Sequence, residues 1–378
     1  LDTLLERVLA EARHFVNADA GTLYLKAKNR LFFSYVQNDT LFKGDAAESR
    51  YVYSGSVGID RKSLAGYVAA TAEPLLIDDV YDIPSEVSYA FNPDYDTKTS
   101  YRTKSMLIVP MLTRAQTNVG VLQLINAKDQ HGNIIPFSGQ DLLYITQYAQ
   151  NAATAIEQAK LNREMVLRMV EISELRDPFE TSQHAKRVGS YAVELYEKWA
   201  VRRNIKQSEI KANREILRTA AMLHDVGKVA ISDTILKKKS DLTRNERDLM
   251  RMHTVYGARL FKHTDSPWDK MAMDVVLNHH ECWDGSGYPG KIGNIFARNI
   301  QLGPGKRGNE IPIYARIVMV ADVYDSLISR RSYKEPWTQK EVVEYLEWKA
   351  GKQFDPELIN IFLDMQDIIL SIRKKYSY

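Results

Sequence analysis

The stretch His279–His280–Glu281–Cys282–Trp283–Asp284–Gly285–Ser286–Gly287–Tyr288–Pro289 constrains this chain more than any other. Two adjacent histidines close an apolar run (Met273, Val275, Val276, Leu277) and open a loop dense in glycine. Imidazoles are costly to bury without partners, and neighbouring residues on a helix diverge by about 100°. The pair therefore calls for an electron-poor body beside the two rings. Four further segments offer ligands of the same kind: Glu180 with His184, His224–Asp225, His253 and Asp322. Five of the eight histidines fall in this set, which reads as a multinuclear metal site.

The spacing explains how such a site is assembled. Glu180 and His184 are four residues apart, so on one helix they face the same way and can share an ion. His224–Asp225 end the apolar run Ile216–Leu223, and Gly227 stops that helix. There an imidazole can hold one cation while the neighbouring carboxylate bridges two. Asp322 lies in an otherwise apolar helix, where an ionised carboxylate is costly unless a cation neutralises it. A lone histidine on an apolar face is more often a hydrogen-bonded core residue, and Glu180 has the simpler role of a first-turn acid. Eight candidates that include two adjacent pairs reverse that balance. The mixed imidazole–carboxylate set suits iron, manganese or zinc, and the lack of sulfur argues against a structural zinc site; the expected cofactor is two or three divalent ions, iron before manganese and zinc. The single cysteine, Cys282, has no second thiol to form a sulfur site and is read as a bystander.

With 378 residues the chain suits two domains of moderate size. A net charge of +3 against 51 basic and 48 acidic residues gives no field for a nucleic acid polymer, so Lys237–Lys239 and Arg373–Lys375 read as solvated surface. No run reaches the roughly 20 apolar residues that span a bilayer. One cysteine excludes an internal disulfide and fits a reducing, cytoplasmic compartment. The first residue is leucine, which is compatible with sequence ahead of it.

Residues 1–137 predict an α/β domain. A helix around Leu4–Ala12 precedes strands at Gly21–Leu25 and Leu31–Val36, and a short helix at Gly66–Val68 precedes extended Leu75–Asp79. Strong strands at Ser105–Met111 and Gly120–Asn126 complete an antiparallel sheet with flanking helices. Residues 138–172 predict a long linker helix, N-capped by Ser138 with Asp141 in its first turn. Along it Leu142, Ile145, Ala149, Ala152, Ile156, Ala159, Arg163, Val166 and Val170 keep a 3,4 spacing, which predicts pairing with a second copy in a homodimer. Residues 173–378 predict an all-α domain, interrupted by the polar, glycine-rich insertion Lys291–Asn309, a solvated loop or a lid.

The first region resembles a GAF domain, through Asp19–Leu25, Gly66–Ala69, Leu75–Asp79, Ser105–Pro110 and Gly120–Asn126. That resemblance implies small-molecule sensing or dimerisation. Asn126–Ala127–Lys128–Asp129 departs from the Asn-Lys-x-Asp signature of cyclic-nucleotide binders, leaving the ligand unknown or absent. The last region resembles an HD-GYP domain, through Thr181–x–x–His184–x–x–Arg187–Val188, His224–Lys228, His279–Pro289, Ala321–Leu327, Arg331–x–Tyr333–Lys334 and Phe354–Pro356. It implies an HD-type metal phosphohydrolase of cyclic di-GMP, yielding pGpG and/or GMP through a metal-bridged hydroxide. The implied metal ligands are Glu180, His184, His224, Asp225, His253, His279, His280 and Asp322, with Asp225 bridging and Glu180 serving a third ion. Lys228, Arg331 and Lys334 would meet the substrate phosphates, and Asp225 and Lys228 would carry the catalysis. Tyr288 and Trp283 have the chemistry either to stack on guanine or to pack the loop. Ile328 and Ser332 stand where threonine and proline are usual. A silent cyclic di-GMP binder and a phosphohydrolase for another nucleotide are the alternatives.

Overall fold

Alternating apolar residues build the first half of the chain. In the computed structural model, α1 (Asp2–Phe15) leads into the hairpin β1 (Ala18–Ala27) and β2 (Arg30–Asn38). Then come β3 (Ser56–Gly58), α2 (Leu64–Thr71), β4 (Leu75–Ile77), α3 (Asp94–Thr99), β5 (Met106–Leu112), β6 (Asn118–Lys128) and β7 (Ile134–Ile135). The strands form one antiparallel sheet in the order β3-β2-β1-β6-β5-β4, with β7 added on β6. Period two sends Leu23, Leu107, Val109, Leu122 and Leu124 to one face, under α1 and the first half of α4 (Gly139–Glu174). Tyr24, Met106, Ile108 and Val121 point to the other, against α2. A one-residue slip would exchange the two faces, so the pairing of Leu23 with Leu122 is strongly fixed. The structure describes residues 2–42, 55–176, 182–262, 265–329 and 336–376, and divides into two compact units, Leu1–Asn162 and Arg163–Tyr378.

The linker helix starts where its cap requires. Ser138 Oγ accepts from Asp141 N–H (3.1 Å), and the Asp141 carboxylate accepts from Ser138 N–H (2.7 Å). Its 3,4 stripe, however, does not form the interchain seam expected of it. Ile145, Ala149, Ala152 and Ile156 are buried in the core of the first unit, and Val166 and Val170 in the core of the second. Over a few turns a heptad stripe and a stripe serving the chain's own core have the same spacing, and alanine suits close packing in both.

The second unit continues with α5 (Ser182–Arg202), α6 (Gln207–Met222), a 3-10 turn (Val226–Ala230), α7 (Asp233–Leu236), α8 (Arg244–Arg251) and α9 (His253–Ala258). It closes with α10 (Pro267–Asn278), α11 (Ile313–Ile328), α12 (Gln339–Lys349), α13 (Pro356–Leu363) and α14 (Gln366–Lys375). Among its described residues there is no strand, only a bridge between Ala350 and Phe354. Tyr191, Leu217, Val275, Ile317, Tyr324 and Phe362 share one core that holds the site-bearing helices together. The insertion is closed on itself by Lys291 N–H to Pro304 O and fastened back on the histidine loop by Gly303 N–H to Pro289 O and Gly308 N–H to Trp283 O. No helix among the described residues is long and apolar enough to cross a membrane.

Candidate metal centre

Helix ends bring the ligands together. His184 lies in the first turn of α5, and His224–Asp225 fill the turn between α6 and the 3-10 segment. His253 opens α9, His279 caps α10 with His280 next, and Asp322 lies within α11. Glu180, Arg331 and Lys334 lie outside the described residues. The other six histidine and aspartate candidates on these elements, with His280, fall into two groups: Asp225, His253, His279 and His280 in one, His184, His224 and Asp322 in the other. Within each group the ligand atoms all lie within 4.8 Å of one another.

Asp225 joins the groups. Its Oδ1 is 3.1 Å from His253 Nε2 and 3.6 Å from His279 Nε2, while Oδ2 is 3.2 Å from His224 Nε2. Asp322 Oδ1 lies 3.4 Å from His184 Nε2 and 3.8 Å from His224 Nε2. The approach of the 3-10 turn to α9 depends on Gly227, where a Cβ would fall 1.9 Å from His253 O.

The histidine tautomers decide whether a cation fits. Nδ1 of His224, His253 and His279 lies 2.8, 2.8 and 3.0 Å from the carbonyls of Ala221, Met250 and Val276. A carbonyl only accepts, so Nδ1 carries the proton and Nε2 keeps its lone pair. These Nε2 atoms all face Asp225. Nε2 of His253 and His279 and Oδ1 of Asp225 are buried without a hydrogen-bond partner, an arrangement too costly to persist unless something electron-poor fills it. The residues fit divalent cations.

Ionisation agrees with that donor set. Burial, with adjacent imidazoles, holds His279 below its ordinary value and His280 well below it, so both are neutral. Burial works against ionised Asp225, yet Lys228 and His224 outweigh it and hold its carboxyl well below the usual range. Asp322 is likewise lowered against burial, by His184 and His224. Burial disfavours a charged His184, but Asp322 and Asp325 overcome it and push it up to about 10. A cation would displace that His184 proton.

Lys228 Nζ is 2.9 Å from Asp225 Oδ2, so its ammonium sits at the junction of the two groups. Tyr288 stacks on His280, with ring centroids 4.8 Å apart and 29° between planes, and the Arg251 guanidinium lies 5.2 Å from the Tyr288 ring. Cys282 belongs to neither ligand group.

Asp325, with its partner Arg187, and Glu281 have no role in the sequence reading but support the site. Asp325 is fully buried, accepts from His184 Nδ1 (2.7 Å) and takes a two-pronged ion pair from Arg187 (2.7 and 2.8 Å). It stands behind His184 as the carbonyls stand behind His224, His253 and His279. Glu281, 1% exposed, accepts from the N–H groups of Gly290 (2.6 Å) and Lys306 (3.0 Å), fixing the tyrosine loop to the insertion. The cost argument that singles out Asp322 applies equally to Asp325, three residues on in the same apolar helix. Glu281 gives no comparable sequence signal.

Two helix-borne groups of imidazole and carboxylate, meeting at one aspartate beside a lysine, define a candidate divalent-metal centre in a helical domain that follows an antiparallel α/β domain along the chain. The comparisons agree. A GAF domain model matches residues 1–156 and an HD domain model matches residues 169–358. The chain belongs to the HD-domain family, with a GAF domain ahead of the HD domain. It is 35% identical over 204 residues to a cyclic di-GMP phosphodiesterase of Thermotoga maritima, covering 54% of this chain and 49% of that one. It is 33% identical over 224 residues to 3'3'-cGAMP-specific phosphodiesterase 2 of Vibrio cholerae (59% and 38%). A cyclic di-GMP phosphodiesterase response regulator of Xanthomonas campestris pv. campestris is 39% identical over 148 residues (39% and 35%). The chain spans half or less of the length of these relatives.

Proposed function

We propose that this chain is a divalent-metal-dependent phosphodiesterase that hydrolyses cyclic di-GMP to pGpG and/or GMP under the control of its GAF domain. The observation that carries this reading is the placement of Asp225 between two groups of inward-facing Nε2 atoms, with Lys228 Nζ 2.9 Å from its carboxylate. His184, His224 and Asp322 would hold one ion and His253, His279 and His280 another, with Asp225 bridging and Glu180 available for a third. Bound there, the ions supply Lewis acidity at the phosphoryl group and an activated water. Lys228 offers a positive charge, and a proton for the leaving oxygen, at the junction of the groups. Arg331 and Lys334 would take the substrate's phosphates, and Tyr288 would border the pocket through its stack on His280. Iron, with manganese next, is the proposed ion, and the imidazole–carboxylate set is compatible with both. One cysteine fits a reducing, cytoplasmic setting.

A homodimer through the linker helix is retained on a different face. Leu161, Met165 and Ile172 are 48, 59 and 57% exposed and keep heptad spacing.

The deciding experiment loads the purified protein anaerobically with Fe(II) or Mn(II) and follows cyclic di-GMP and 3'3'-cGAMP by chromatography. Metal-dependent conversion of cyclic di-GMP to pGpG or GMP is expected. Turnover of 3'3'-cGAMP alone would move the substrate to that dinucleotide, as in the first Vibrio relative. Intact dinucleotides beside a fully loaded protein would leave a silent binder.

A further inference from the structure

The junction of the two ligand groups is held from an unexpected direction. Arg176 lies two residues beyond the linker helix and makes no contact with the candidate ligands that would single it out from the sequence. Its guanidinium donates to Val229 O, to Ile231 O (2.9 Å) and to the Asp233 carboxylate (2.7 Å). Val229 belongs to the 3-10 turn that starts immediately after His224–Asp225 and carries Lys228. Within the turn, Lys228 N–H donates to Asp225 O (3.0 Å) and Ile231 N–H to Lys228 O (3.0 Å). Gly227 fixes its approach to α9, because a Cβ there would strike His253 O and Gly257 N.

We infer that Arg176 is a positioning residue for the proposed reaction: its three-point clamp on residues 229–233 sets where Asp225 and Lys228 stand. This inference rests on the phosphodiesterase reading. A planar guanidinium serves two carbonyls and a carboxylate from donors spread over a rigid fork; an ammonium keeps the charge and three donors but gathers them on one atom and loses the fork. Misplacing a reacting group by about 1 Å can cost on the order of 100-fold in rate. Arg176 follows two residues after the end of the linker helix, whose Val166 and Val170 share a core with Val226 of the turn.

The test uses the full chain loaded with Mn(II), as wild type, Arg176→Ala, Arg176→Lys, Asp233→Ala and Lys228→Ala, with the double variant Arg176→Ala/Lys228→Ala. Hydrogen exchange of the amides at 226–231 is read first. Both Arg176 variants are expected to exchange there at least about tenfold faster than wild type, with Asp233→Ala in between, because the clamp closes a local opening. Turnover of cyclic di-GMP is read second: kcat should fall about 10- to 100-fold in Arg176→Ala with KM within about twofold and metal content unchanged. The double variant should lose less than the product of the two single losses, since part of the Arg176 effect acts through Lys228. Exchange at 226–231 within about twofold of wild type would overturn the inference, as would losses that multiply or full rescue by lysine. An inactive wild type would instead remove the phosphodiesterase reading, and exchange would still decide whether Arg176 positions the turn.

Discussion

Asp325→Ala probes whether the site depends on what stands behind its ligands. Asp325 is fully buried, with His184 Nδ1 at 2.7 Å and the Arg187 guanidinium at 2.7 and 2.8 Å. Truncation takes the carboxylate from the half-buried Arg187 and removes the acceptor that turns the His184 ring toward Asp322. Breaking one side of a buried pair costs about 3–5 kcal/mol. For a unit of this size, each kcal/mol lowers the midpoint by roughly 2–4 °C, so melting should fall by about 6–20 °C. Loss of the partner behind a ligating histidine lowers metal affinity about 10- to 100-fold. Calorimetry and Mn(II) titration of wild type and variant read the two effects separately. A variant that melts within about 2 °C of wild type and binds Mn(II) as tightly would refute the support assigned to Asp325.

Asp225→Ala should abolish both metal loading and hydrolysis, a loss of more than about 100-fold in turnover; wild-type metal content by elemental analysis would remove the bridging role. Lys228→Ala should keep its metal and lose about 100-fold in kcat, and unchanged kinetics would reduce Lys228 to a helix-end cation. In the GAF domain, burial raises the Asp19 carboxyl, but hydrogen bonds from Lys128, Tyr101 and Thr40 outweigh it and hold it below 3.8. Its folded value is the lower one, so its contribution is present above about pH 4 and disappears as pH falls through the folded value. Asp19→Asn should therefore cost about 1–3 kcal/mol near neutrality, with the gap to wild type closing in acid denaturation curves. Met165→Asp with Ile172→Asp should yield monomers by sedimentation velocity, and an unchanged dimer mass would move the interface elsewhere.

Most of the donor set is legible without coordinates because burying histidines and aspartates is expensive. Adjacent His279–His280 after an apolar run, and Asp322 inside another, leave few alternatives to a cation. Strand placement in the first domain is similarly legible, since period-two alternation in Leu107–Val109 and Leu122–Leu124 must serve a two-faced sheet. The linker stripe is not: Ile145–Ile156 carries the same spacing whether its partner is a second chain or its own domain's sheet.

What the sequence alone determined is the chemistry: which atoms are available, that they are too costly to bury idle, and that sulfur takes no part. Tertiary structure decided which atoms meet. It divided the candidate ligands between two groups that meet at Asp225, turned Nε2 of His184, His224, His253 and His279 inward by giving Nδ1 a carbonyl or Asp325, and tied Arg176 to the turn beside Lys228. Those choices come from packing helices against one core, and residues far apart in the chain meet only when that core closes.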